Sequence, residues 1–455
     1  MCQILSHFLL LLWLPFIMTN RVYVHPFGLF ALNNVSCKTV KDQVENPLKT
    51  VDLTLIESKD SAEPEIHDRK ATESLKQSIT QHTLVLASLQ NSFGLRLYHA
   101  LRKQKTTNAL FSPINTFGAL VTLYFGASKH TATHLQHFLG LVKETDKEEC
   151  ISPFDGHKVL RTLQDISSLA EGAAVEIKTM SWTLVSSKAD LSEEFARGTQ
   201  EFSDNSYIRA VDFSQTQEAE AQVNSFIQRT SSGKTEHVFK TISPSADLLF
   251  ASFLHFKGKW VAFHPEATSL QDFWIDEKTS VKVSLMTHTG DYKYLNDKSR
   301  RCTIIKLPLS EKTYMLLVLP HQGTDLDHIE AKLSTEVIST WHQHLKGGFL
   351  EVSLPKFSIK AVNDLRVILS HMKLQDLLGK GANFQRLSTK DQFNVDQVLN
   401  KAMFEMSENV SENQDKAQEG RVALKLTVNR PFCFTVIEGN TDAILLLGRV
   451  TNPVQ

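Results

Sequence analysis

Beyond its first nineteen residues the chain has no apolar run approaching the roughly 20 residues that a bilayer-spanning helix needs, so no stable membrane association is expected. A basic surplus is missing too: 49 Lys and Arg stand against 50 Asp and Glu, a net charge of −1. Neutralising phosphates takes a basic excess or stripe, which excludes nucleic acid as a partner. The short clusters Arg102, Lys103, Lys105 and Lys298, Arg300, Arg301 read as solvated surface. Cysteine is scarce, five in 455 residues, and none has the CxxC spacing of a zinc or thioredoxin-like site. Enzyme motifs are absent as well: there is no HExxH, GxSxG, Walker loop or GxGxxG, and Gly379-Lys380-Gly381 reads as a turn. His134 with His137, and His342 with His344, lack a third ligand nearby, so neither pair makes a metal site. No catalytic residue, metal or cofactor is expected, and the chain is not read as an enzyme.

What is present begins with FLLLLWLPFIM, residues 8 to 18, of the right size for the apolar region of a signal peptide. Residues 1–19 are expected to be removed by a cut between Thr19 and Asn20, giving a secreted, extracellular product. The sequons at Asn34 and Asn409 fit a glycosylated protein. From Lys41 to Lys76 there is no Phe, Trp or Tyr, and 15 of residues 41 to 78 are charged, so this stretch has little apolar surface to offset the entropy of ordering. Residues 30–83 read as an N-terminal arm or linker.

The period changes near residue 84. Leu86, Leu89, Phe93, Leu97 and Leu101 recur at three- and four-residue steps, one face of an amphipathic helix, and a packed domain spans 84–455. Val175-Glu176-Ile177-Lys178 alternates like a half-buried strand, residues 302 to 320 read as two strands around a Ser-Glu-Lys turn, and Ala443 to Val450 is a nearly continuous apolar strand. Mixed elements without a repeat point to α+β with much antiparallel sheet.

FSPINTFGALVTLYFGA at 111 to 127, FLHFKGKW at 253 to 260, NKAMFE at 400 to 405 and NRPFCFTVIEGNTDAILLLGRVTNP at 429 to 453 resemble successive serpin motifs, in the family's order. The resemblance implies the serpin fold, with three β-sheets, eight or nine helices, and a short exposed reactive-centre loop after NKAMFE, preceded here by an extended N-terminal arm. Inhibitory serpins insert a hinge of small residues into their main sheet after loop cleavage. Here the hinge carries Asn413, Gln414, Asp415 and Lys416, and burying Asp415 and Lys416 unpaired would cost several kcal/mol. The resemblance also implies a loop a few residues shorter than the inhibitory pattern. The family's usual Ser, Asn and His at the sheet-opening positions stand as Asn115, Ser252 and Asn400. A serpin body without serpin inhibition is expected; the alternative is an extracellular serine-protease inhibitor with an atypical loop.

NRVYVHPFGL, residues 20–29, is a leader that a serpin body does not need. It resembles the N-terminal peptide of a hormone-precursor branch of the serpins, with Asn20 for the usual Asp and Val24 where some members have Ile; Gly28 stands at a variable place. Val22, Tyr23 and Val24 favour extended backbone and Pro26 biases His25 the same way. A continuous strand would set Arg21, Tyr23, His25 and Phe27 on one side, for recognition by a receptor. The resemblance implies processing by an aspartic protease between Leu29 and Phe30, recognised through His25, Pro26 and Phe27, then removal of Gly28-Leu29 by a dipeptidyl carboxypeptidase to leave Phe27 terminal. It also implies a disulfide between Cys37 and Cys150, with Cys302 and Cys433 left as buried thiols.

Overall fold

The leucine spacing at 86 to 101 produces the first long helix, Gln81–Arg102, with Leu86, Phe93, Leu97 and Leu101 buried. Its start is fixed by a reciprocal cap: Thr80 Oγ1 accepts from the Thr83 amide at 3.2 Å, and Thr83 Oγ1 accepts from the Thr80 amide at 3.0 Å. In this computed structural model the described residues are 25–32, 47–57, 79–103, 107–146, 151–260, 268–379, 381–390, 392–408 and 421–454. The next helix, Pro113–Gly126, starts on the hydroxyl of Ser112 with proline in its first turn, and all of its residues are buried. It is apolar nearly all round, so it serves as the axis against which Gln81–Arg102, Gly156–Ala170 and Glu193–Phe202 pack. Gly94 permits the closest of these approaches, since an added Cβ there would lie 2.3 Å from Pro113 Cβ.

The main sheet has five strands in the order Ser358–Asp364, Val395–Glu408, Leu248–Trp260, Val175–Ser186, Asn205–Val211. Its centre, Leu248–Trp260, runs parallel to Val395–Glu408 and antiparallel to Val175–Ser186. Residues 248 to 256 are buried without alternation, as befits a strand covered on both faces. The expected strand at Val175 begins with the alternation read from the sequence and then becomes fully buried.

A second sheet of nine strands is held together by Ser280–Asp297, long enough to pair in succession with Thr268–Trp274 near its start, Lys346–Pro355 along its middle and Cys302–Pro308 near its end. The expected hairpin is there as Cys302–Pro308 and Thr313–Pro320, and the expected apolar strand Ala443–Val450 is wholly buried beside Phe432–Glu438. Cys302 and Cys433 are buried free thiols in these strands. The third sheet is a two-stranded ribbon of Thr50–Val51 and Leu191–Ser192. Three sheets and ten α-helices among the described residues make the expected α+β fold, with one helix more than the eight or nine expected; the ten include the short turns Pro26–Phe30 and Leu326–Glu330.

Part of the arm departs from the expected linker. Residues 47 to 57 dock on the domain edge through main-chain bonds: Glu193 N donates to Lys49 O at 2.9 Å and Ala210 N donates to Thr54 O at 2.7 Å, while Ile56 is buried. This part of the arm is its apolar part, with Leu48, Val51, Leu53, Leu55 and Ile56 among its residues, and its backbone adds to the edge strand Asn205–Val211, where Leu55 bridges Ala210.

Candidate functional site

His25 has extended backbone, as the following proline dictates, with φ −61° and ψ 132°. The same proline sits at the first helical position, where its missing N–H is no loss, and Pro26–Phe30 winds into one helical turn. His25 caps it, its Nδ1 accepting from the Phe27 amide at 3.3 Å and its carbonyl from the Gly28 amide at 2.9 Å. The expected continuous strand therefore does not run on from His25 to Phe27, and Phe27 does not continue the one-sided row. Thr19, Asn20, Arg21, Tyr23, Asn34, Cys37, Cys150 and Asn409, and the hinge Asn413 to Lys416, lie outside the described residues.

The three-residue spacing of Phe27 and Phe30 puts both rings on the inner face of the turn, where both are buried, Phe30 with no exposure at all. Leu29 is half-buried and Gly28 is exposed. The turn packs on Gln81–Arg102 and Gly156–Ala170, and the Phe30 ring meets His82 edge to face at 5.7 Å. The chain leaving the turn is held along its backbone: Asp155 N donates to Phe30 O at 2.7 Å, Leu32 N donates to Pro153 O at 3.4 Å, and Ala31 forms a bridge with Phe154. Lys158 Nζ donates to the Leu29 carbonyl at 2.8 Å. His25 Nε2 lies 3.7 Å from Glu144 Oε1. Burial, and then the Lys158 charge, lower the pKa of His82, against the Leu29 carbonyl, which favours the protonated ring.

The Leu29-Phe30 bond is thus inside a packed helical turn instead of an open strand. A cleft that binds its substrate extended has to draw both rings out of the core, at roughly 1.5–3 kcal/mol for each. Individual main-chain bonds add about 1 kcal/mol each.

The second constellation read from the sequence does assemble. Asn115, Ser252 and Asn400 converge beneath the main sheet, both Asn Nδ2 groups donating to Ser252 Oγ, from Asn400 at 3.0 Å and from Asn115 at 3.4 Å. The Oδ1 atoms of the two asparagines are buried with no hydrogen-bond partner. Strands Leu248–Trp260 and Val395–Glu408 pair from Val395 opposite Leu248 to Glu408 opposite Trp260, with one register shift between Val395 and Gln397, and the seam is in continuous register from Gln397 to Glu408.

Sequence reading missed a polar clip on this seam. Lys234 Nζ donates to His255 Nδ1 at 2.9 Å, leaving Nε2 to carry the proton donated to Glu405 at 2.7 Å. Burial outweighs Glu405 and keeps the His255 pKa below the ordinary imidazole value. Two residues along the seam from His255, opposite Phe253, the buried Lys401 ammonium meets the Thr235 hydroxyl, and burial lowers its pKa to about 8. His255 and Glu405 both stand inside quoted motifs, but only the parallel register brings them together.

The serpin (serine protease inhibitor) profile matches residues 88–453. Angiotensinogen of Bos taurus is 31% identical over 98% of this chain and 96% of its own, and that of Rattus norvegicus is 30% identical over 98% and 97%. Among solved structures, mouse protein-Z dependent protease inhibitor superposes with a TM-score of 0.70 at 24% identity, covering 82% of this chain and 98% of that one, a likeness of fold. With its sheets, its ordered motifs and these relatives taken together, the chain belongs to the serpin family.

Proposed function

We propose that the chain is a secreted precursor of angiotensin-type peptides, presented by a serpin body that does not inhibit proteases. After signal removal at Thr19/Asn20, the aspartic protease renin cuts Leu29-Phe30 and frees the decapeptide Asn20 to Leu29. Angiotensin-converting enzyme then removes Gly28-Leu29, and the octapeptide ending at Phe27 engages an angiotensin receptor through Arg21, Tyr23, His25 and Phe27, acting on blood pressure and on fluid and salt balance. The chain is a substrate in this scheme and contributes no catalytic group; the reacting carboxylates belong to the protease.

The observation that carries the reading is NRVYVHPFGL, an angiotensin-like decamer set ahead of a serpin body whose nearly full-length relatives are angiotensinogens. The hinge composition supports the non-inhibitory half, because entering the main sheet as a strand would bury Asp415 and Lys416 unpaired. Incubation with renin and, separately, with serine proteases tests both halves. A released peptide ending at Leu29 is expected from renin; an SDS-stable covalent complex with a serine protease would instead mark an inhibitor.

A further inference from the structure

Lys158 is in the first turn of helix Gly156–Ala170, where the partial positive charge of the helix N-terminus disfavours a cation. Asp155 caps that turn by accepting from the Lys158 amide at 3.0 Å, and no acidic residue lies in the first turn to offset the ammonium. The half-buried side chain turns instead to the Leu29 carbonyl, 2.8 Å away. That oxygen belongs to the peptide group that the proposed cleavage breaks. One residue on, the Asp155 amide holds Phe30 O at 2.7 Å, so the same helix start grips the carbonyls of both residues flanking the bond.

A protease must polarise the scissile carbonyl from its own groups as negative charge develops on the oxygen. It cannot do so while a lysine of the substrate's body occupies that oxygen and Phe30 is buried. Resting on the precursor reading above, we infer that Lys158 is a positioning residue: a latch on the scissile carbonyl that keeps residues 26 to 30 docked and so sets how fast peptide is released. Only the undocked fraction binds the protease, so the apparent affinity falls in proportion to that fraction while the chemistry of the bound state is untouched. The latch therefore acts on KM and leaves kcat alone. Arg in place of Lys keeps a charged donor on a long stem, whereas Met keeps the stem and loses the donor.

The test compares renin cleavage of the full-length protein, of Lys158→Met and of Lys158→Arg, alongside a synthetic peptide of residues 20–33. For Lys158→Met, kcat/KM is expected to rise about tenfold through a lower KM, the scale set by losing one charge-assisted hydrogen bond. Lys158→Arg should stay within about twofold of the parent on the same scale. A circular dichroism melt that matches the parent excludes general unfolding as the source of the gain. An unchanged KM in folded Lys158→Met, or Lys158→Arg releasing peptide as fast as Lys158→Met, overturns the latch. Failure of the peptide to be cut at Leu29-Phe30 is a separate result, which sinks the precursor reading and the latch with it.

Discussion

His255 and Glu405 face each other across the two parallel strands of the main-sheet seam, 2.7 Å apart, with His255 almost wholly buried and Lys234 donating to its other nitrogen. Glu405→Ala leaves that imidazole N–H buried without its acceptor, a loss of about 1–3 kcal/mol. A thermal midpoint lower by several degrees is the expected reading, and an unchanged one would show that the clip contributes nothing.

Acid should loosen the same seam. The folded pKa of His255 is depressed, so the unfolded chain binds more protons as pH falls below 6.5, and stability is lost through that window down to the folded value. Burial also lowers the pKa of His82, His99 and His342, which slope the same way. Urea unfolding at pH 7 and pH 5 is therefore expected to show a drop in the parent that is smaller, though not absent, in His255→Gln. Equal drops in the two proteins would exclude His255 from the effect.

Lys401 gives the opposite end of the pH scale. Its folded pKa of about 8 lies below the ordinary 10.5, so the folded form holds fewer protons than the unfolded chain between those values and stability rises with pH across them. Below pH 8 the ammonium is charged and desolvated in the fold. Lys401→Met is expected to be at least as stable as the parent at pH 7, as follows when a buried charge gives way to an apolar side chain of like length, and to gain less stability than the parent between pH 8 and 10, where the depressed Lys234 and Lys306 and the raised Cys302 and Cys433 act in both proteins alike. Parallel curves for the two proteins would show that Lys401 keeps its ordinary pKa.

Cleavage of the reactive loop between Asp415 and Arg421 is expected to leave the thermal midpoint nearly unchanged. The hinge residues Asn413 to Lys416 are polar and charged, and entering the sheet would bury Asp415 and Lys416 unpaired. Insertion of a central strand would raise the midpoint by tens of degrees, on a scale where about 1 kcal/mol moves even a domain of roughly 150–250 residues by only about 2–4 °C. Differential scanning calorimetry of nicked and intact protein separates the two cases.

Thiol mapping tests the remaining expectation of the arm. Cys37 and Cys150 should resist alkylation in the native protein and appear as one linked peptide, while Cys302 and Cys433 become alkylatable only on unfolding. Burial pushes the Cys302 thiol up to about 12 and raises that of Cys433 as well, so neither supplies thiolate at neutral pH. Reduction of the bridge is expected to change the rate of peptide release. Native alkylation of Cys37 and Cys150, or a link from either to Cys302 or Cys433, contradicts the pairing.

The sequence by itself determined the elements whose pattern is local and long. Five apolar residues at helical spacing were enough for Gln81–Arg102, alternation for the start of Val175–Ser186, and two apolar runs around Ser-Glu-Lys for the hairpin at 302 to 320, because such periodicity reports which face each element buries. The order of the serpin motifs supplied the architecture, and it named Asn115, Ser252 and Asn400 as a group. Tertiary structure alone decided what depends on partners distant in the chain. A five-residue helix is unstable in isolation, so Pro26–Phe30 exists because Phe27 and Phe30 find a seat between two long helices, and Lys158 reaches Leu29 across 129 positions of sequence. The docking of residues 47 to 57 and the pairing of His255 with Glu405 have the same origin: each is made of backbone edges or polar atoms whose partners are set by strand register, which no single segment encodes.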